Sequence, residues 1–140
     1  MSKKSKKLKD SFLERIAEPI RGILASCGCA TQGIGFAARA QRNLRVHFSA
    51  AVIVIGAGLW LHLSRVEMAI LLLTVSLVIM GELLNTALEY LLNLMEARHH
   101  PTVRAVKDIA AGAIFMSVLG AIGVGILLLG PRLLALWRCR

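Results

Sequence analysis

The rhythm of apolar positions divides the chain into an amphipathic first third and a more continuously apolar remainder. Phe12, Ile16, Ile20 and Ile23 recur in helical steps on one face, with Glu14, Arg15, Glu18 and Arg21 mostly elsewhere. "SFLE" reads as a capping box, Ser11 capping and Glu14 reaching back. Pro19 predicts a kink or a split, and Gly28 and Gly33 loosen the segment that follows. A second amphipathic stretch runs from about Thr31 to His47. Together they predict a surface helix over about 11–46, suited to the plane of a membrane. Residues 1–10, "MSKKSKKLKD", read as a solvated, disordered basic tail ahead of a single domain over 11–140.

Three apolar runs follow. They predict transmembrane spans over about 48–64, 66–94 and 109–130. The second is too long for one simple crossing, so its far end should project from the lipid. The fold class expected is all-α, with three transmembrane helices behind an amphipathic surface helix. Trp60 and Trp137 suit interfacial positions. The third run carries Ala113, Ser117, Ala121 and Gly125 at steps of four, a small-residue ridge that serves either close packing within one chain or association between chains.

One stretch breaks the apolar pattern. In "GELLNTALEYLLN", Gly81 to Asn93, the residues Glu82, Asn85, Glu89 and Asn93 stand at steps of three, four and four. At 100° per residue they share an arc of roughly 80° on one helix face. A carboxylate in a bilayer core costs roughly 2.5–3.5 kcal/mol, so two on one face need a polar surrounding or a purpose. Of the eight acidic residues, Glu82, Glu89, Glu96 and Asp108 cluster where spans two and three meet. The connecting "RHHPTVRAVKD" adds Arg98, His99, His100, Arg104 and Lys107. Carboxylates, amides, histidines and a lysine at a membrane surface suit phosphoryl transfer, which needs a divalent cation, a cation on the phosphates and a base for the attacking hydroxyl. Glu82 and Glu89 are two turns apart, roughly 10 Å along the axis, so one can act as base while the other holds metal. Spacing alone equally allows a polar seam that fixes helix packing.

Composition and charge narrow the classes. Hydrophobic residues make up 56% of the 140, which points to a membrane protein. The net charge of +9 raises nucleic acid as a partner, but no RNA- or DNA-binding motif is present. Ten of the 17 Lys and Arg residues precede Phe48. With the N-terminus in the cytoplasm, thirteen basic residues fall inside and four outside, which favours N-in, C-out. The start has no compact apolar core with a cleavage site, so it is not read as a secretory signal. Cys27, Cys29 and Cys139 lack further metal ligands nearby and read as small apolar fillers. Neither a Walker A loop nor the protein-kinase signature set occurs.

"ELLNTALE", followed after a short loop by "KDIAAGA", resembles the small prokaryotic integral-membrane lipid kinases, the diacylglycerol kinase and undecaprenol kinase family. "RNLRVH" before the first span and "RVEMAILLLT" opening the second carry the same resemblance, which covers about Cys27 to Leu129. It implies a homotrimer in the bacterial inner membrane, with active sites between subunits at the cytoplasmic surface. The implied substrates are ATP and a membrane lipid, either diacylglycerol or undecaprenol, with Mg²⁺ as cofactor. Carried over residue by residue, Glu82 matches the catalytic base and Glu89 a ligand of the metal that accompanies ATP. Asn85 matches the polar residue between them. Lys107 and Asp108 match a nucleotide-contacting pair with Lys107 on the phosphates, and His100 matches a loop histidine near the adenosine. Gln41 stands where the family usually has a second metal-binding glutamate, and Asn93 where it usually has an aspartate. Gln41 can coordinate through its carbonyl oxygen without bringing charge. The alternative is a non-catalytic membrane protein that keeps the lipid-kinase fold.

Overall fold

A computed structural model describes residues 3–94 and 101–138, with side chains described from residue 18 onward, Ile20 excepted. The described chain is all-α: α1 over Lys3–Ala40, α2 over Arg42–Trp60, α3 over Arg65–Leu94 and α4 over Pro101–Arg138. α2, α3 and α4 are each long and apolar enough to cross a membrane; α1 is not among them. The chain divides into two compact units, Met1–Phe36 and Ala37–Arg140.

In the first unit, α1 is helical from Lys3, where the sequence suggests a disordered tail, and it runs through Pro19 without the expected split. Cys27 and Cys29 are exposed thiols, so neither fills a core as expected. Ser26 and Thr31 turn their hydroxyls back onto carbonyls one turn earlier, Gly22 for Ser26 and Cys27 and Gly28 for Thr31.

The second unit holds the three long helices. α3 packs along α4 and α2, while α2 and α4 touch sparingly. At 1.5 Å per residue, α3 is roughly 45 Å long and α4 roughly 57 Å, against about 30 Å of hydrocarbon. Each therefore extends beyond the lipid core, as the length of the second apolar run suggested. The break between the surface segment and the first span falls at Gln41, not near 47. Gln41 takes an extended backbone (φ −110°, ψ 120°). Arg45 stabilises this break: its Nη1 donates to the carbonyls of Ala38 and Arg39 at 3.1 Å each, satisfying acceptors that the ending helix leaves open.

The α2–α3 turn is built from local hydrogen bonds. Leu63 N donates to Gly58 O and His62 N to Leu59 O, a Schellman closure with His62 in the left-handed position at φ 53°. Ser64 and Glu67 then form a capping box, Ser64 N donating to Glu67 Oε2 at 2.7 Å and Glu67 N to Ser64 Oγ at 3.4 Å. Gly58 leaves room here: a Cβ would lie 3.1 Å from both the Leu71 and Met68 side chains, which would have to give way. At Gly81 α3 packs closely on α4, where a Cβ would stand 2.9 Å from Ile114 Cδ1.

Few side chains are buried within one chain: Ala37, Leu44, Ala51, Leu61, Leu71, Val78 and Leu92 form its apolar core. α4 buries none. Large apolar side chains such as Leu73, Leu84, Ile109, Phe115 and Leu127 face outward, as lipid contact requires. Hydroxyls along the spans are satisfied internally: Ser49, Thr74, Thr86 and Ser117 each donate to a carbonyl three or four residues back. The small-residue ridge divides its roles. Ala121 and Gly125 line a half-open pocket between α2, α3 and α4, whereas Ala113 is exposed.

Candidate active site

The polar column of α3 lies along the half of the helix that faces the start of α2. Its two carboxylates find different partners there. Glu89 Oε2 accepts a hydrogen bond of 2.7 Å from Gln41 Nε2, joining residues 48 apart in sequence. Glu82 Oε1 lies 3.1 Å from His47 Nε2. Glu82 is buried at 4% exposure, and Thr86, at 3%, donates its hydroxyl to the Glu82 carbonyl at 2.8 Å. A carboxylate in such a place needs a polar or cationic partner, and the second turn of α2 brings an imidazole to it.

The break at Gln41 explains how both pairs form. α2 starts one residue later, so Gln41 sits at its N-cap position and His47 lies six residues on, in the second turn of α2. The rise of roughly 9 Å between them matches the roughly 10 Å between Glu82 and Glu89 on α3. Two donors on one element thus meet two carboxylates on the other, in antiparallel register.

The remaining residues singled out in the sequence divide as follows. Asn85 is half-buried on the same face of α3. Lys107, in the second turn of α4, donates to Asn93 Oδ1 at 3.1 Å, so α4 is tied to the end of the polar column. Asp108 is exposed and 4.0 Å from Arg104 one turn earlier on α4. His100 and Glu96 lie outside the described residues. Among the described residues no group of three or more His, Cys, Asp or Glu side chains comes together.

His47 is the residue that sequence reasoning passed over. It appears in "RNLRVH" only as part of a resemblance. The signal was a titratable side chain at the mouth of an apolar span, where burial demands a partner. Beneath the pair lies an apolar cavity of about 220 Å³ between α2, α3 and α4, bounded by His47, Ala51, Thr74, Val78, Ala121 and Gly125. His47 thus stands both beside the Glu82 carboxylate and on the wall of an apolar space.

The donor set fits a divalent cation brought in with a phosphate ligand. Mg²⁺ is held in such sites by one or two carboxylates plus phosphate oxygens and water, not by an all-protein cage. Glu89 offers a carboxylate, and Gln41 offers an amide oxygen once its amide turns over. That rotation gives up the hydrogen bond to Glu89, which a cation bound between the two oxygens would replace.

The model of the family described as prokaryotic diacylglycerol kinase matches residues 28–129. The chain belongs to that family. It is 42% identical over 115 residues to a diacylglycerol kinase of Synechocystis sp., a match covering 81% of this chain and 66% of the relative. It is 38% identical over 104 residues to an undecaprenol kinase of Bacillus subtilis, covering 74% of this chain and 85% of the relative. All seven positions assigned above, from Gln41 to Asp108, lie inside the matched span of this lipid-kinase family.

Proposed function

We propose that this protein transfers the γ-phosphoryl group of ATP to the hydroxyl of a membrane lipid. The observation that carries this reading is the pairing of two carboxylates with two separate donors at one end of the bundle, Gln41 with Glu89 and His47 with Glu82. A seam that only fixed helix packing would be served by amides alone. Here two carboxylates stand in the polar column, at the positions that the resemblance assigns to the base and to a metal ligand, and neither carries a lysine or arginine among the described residues.

Glu82 is the base. Its buried carboxylate takes the proton of the lipid hydroxyl as that oxygen attacks the γ-phosphorus, and ADP leaves from the opposite side. Glu89 and Gln41 hold Mg²⁺, which supplies charge neutralisation on the phosphate oxygens. Lys107 keeps one ammonium hydrogen on Asn93 and has two more for phosphate oxygens. Asn85, Asp108 and His100 complete the nucleotide contacts. The acceptor is mostly hydrocarbon, and the apolar pocket beside His47 suits that composition. One relative is named for diacylglycerol and the other for undecaprenol, so both belong in the assay.

The chain works as a homotrimer in the bacterial inner membrane, N-terminus in the cytoplasm. The sparse core of one chain supports association, since Glu82 lies in a bundle of only three helices. Orientation is read by impermeant thiol labelling: a cysteine placed at Ser64 should react from outside, and Cys27 and Cys29 should not.

Purified protein in mixed micelles with labelled ATP, Mg²⁺ and each lipid in turn tests the reaction. The expected product is labelled phosphatidic acid or undecaprenyl phosphate. A folded, trimeric protein that labels neither lipid, as wild type and as Gln41→Glu, is instead the non-catalytic form of the fold.

A further inference from the structure

We propose that His47 is a positioning residue for the base: its Nε2–H holds Glu82 Oε1, so that Oε2 is the oxygen that receives the lipid hydroxyl proton. The inference rests on the kinase reading above. Among the described residues, His47 is the one side chain with a nitrogen against this carboxylate, its Nε2 standing 3.1 Å from Oε1. Thr86 binds the Glu82 carbonyl, not its side chain. Gln41 is committed to Glu89.

A glutamate has three rotatable bonds, and a base must present a lone pair to one proton in one direction. With the carboxylate 5% exposed, water does little to orient it. The imidazole does. It is fixed in turn by its place on α2, whose first turn is locked by Arg45 on the Ala38 and Arg39 carbonyls. One oxygen of Glu82 is thereby engaged and the other left to the substrate. His47 also lines the apolar pocket between α2, α3 and α4, so the same residue that aims the base bounds a space that suits a lipid. His47 moves no proton in this assignment; it donates one hydrogen bond before and during the reaction.

A structural role would also place a donor against a buried carboxylate, and the two roles separate kinetically. A positioning role moves kcat and leaves both KM values and the fraction of folded trimer in place. His47→Phe keeps the ring shape and removes the donor. It should lower kcat about 10- to 100-fold, the scale of a misplaced reacting group, with KM for ATP and for lipid within about twofold. His47→Gln carries a donor at the position of Nε2 and should recover at least about tenfold of that loss. His47→Asn, whose amide ends one bond short, should not. Rates are expressed per folded trimer, so a variant that folds poorly is still read. If His47→Phe keeps the wild-type kcat, or if His47→Gln is as slow as His47→Asn, the assignment is overturned while the kinase reading stands. If wild type phosphorylates no lipid, both fall together.

Discussion

The two ends of the three-helix unit treat their charges in opposite ways. At the α2–α3 turn, Glu67 is paired with a guanidinium and a backbone donor. Its Oε2 accepts from Ser64 N at 2.7 Å and from Arg132 Nη2 at 2.8 Å, joining α4 to the start of α3. The side chains of that pair are about a third exposed, at 30% and 31%. Arg132 Nη1 is buried with no partner among the described residues, which offsets part of the gain. At the other end, Glu82 and Glu89 have neither lysine nor arginine on them among the described residues. Their partners are an imidazole and an amide. A carboxylate matched by a guanidinium is held in its charged, unreactive form. A carboxylate with no guanidinium or ammonium on it stays available to a proton or a metal ion. The contrast separates a brace from a reaction site.

The largest expected effect comes from taking the charge off the reaction end. Glu82→Gln keeps the shape and an acceptor for His47 but cannot take a proton. It should lower kcat by about 10²- to 10⁴-fold, while the affinity for Mg-ATP, read by calorimetric titration, changes little. A parallel loss of ATP binding would place Glu82 on the nucleotide instead.

A purely steric change should act between the two ends. Gly81→Val would push its branches into Ile114 and should cost about 1–3 kcal/mol. Thermal unfolding in detergent gives the value. An unchanged midpoint would show that α3 and α4 are not in contact there.

At the brace, Arg132→Met should lower the unfolding midpoint modestly and leave kcat and both KM values as in wild type. Loss of activity without loss of stability would erase the distinction between the two ends. The smallest effect is expected from Gln41→Glu. It replaces a neutral ligand by a charged one beside Glu89 and should lower the Mg²⁺ concentration for half-maximal rate by a few-fold. An unchanged Mg²⁺ requirement would remove Gln41 from the metal site.

The helices and the polar column were legible because both are written in one element at a time. Three apolar runs, and Glu82, Asn85, Glu89 and Asn93 at helical steps, need no partner to be seen. The pairings between elements were not legible in that way. Gln41 to Glu89 spans 48 residues, Glu67 to Arg132 spans 65, and each depends on how the helices are set against one another. The break at Gln41 escaped notice because no glycine or proline marks it. It is held by Arg45 reaching back to α1, a contact between residues that sequence reading treats as ordinary surface charge. The ridge from Ala113 to Gly125 was visible as a pattern, but that Ala121 and Gly125 border a half-open pocket between α2, α3 and α4 follows only from packing.

The central claim, that chemistry resides at the Glu82 end and bracing at the Glu67 end, is tested most directly by one comparison of initial rates. Wild type, Glu82→Gln and Arg132→Met are assayed side by side for lipid phosphorylation at saturating Mg-ATP, each normalised to folded trimer. The account predicts that Arg132→Met stays within about twofold of wild type while Glu82→Gln falls by about 10²-fold or more. Equal losses in the two variants, or a Glu82→Gln protein as fast as wild type, would contradict it.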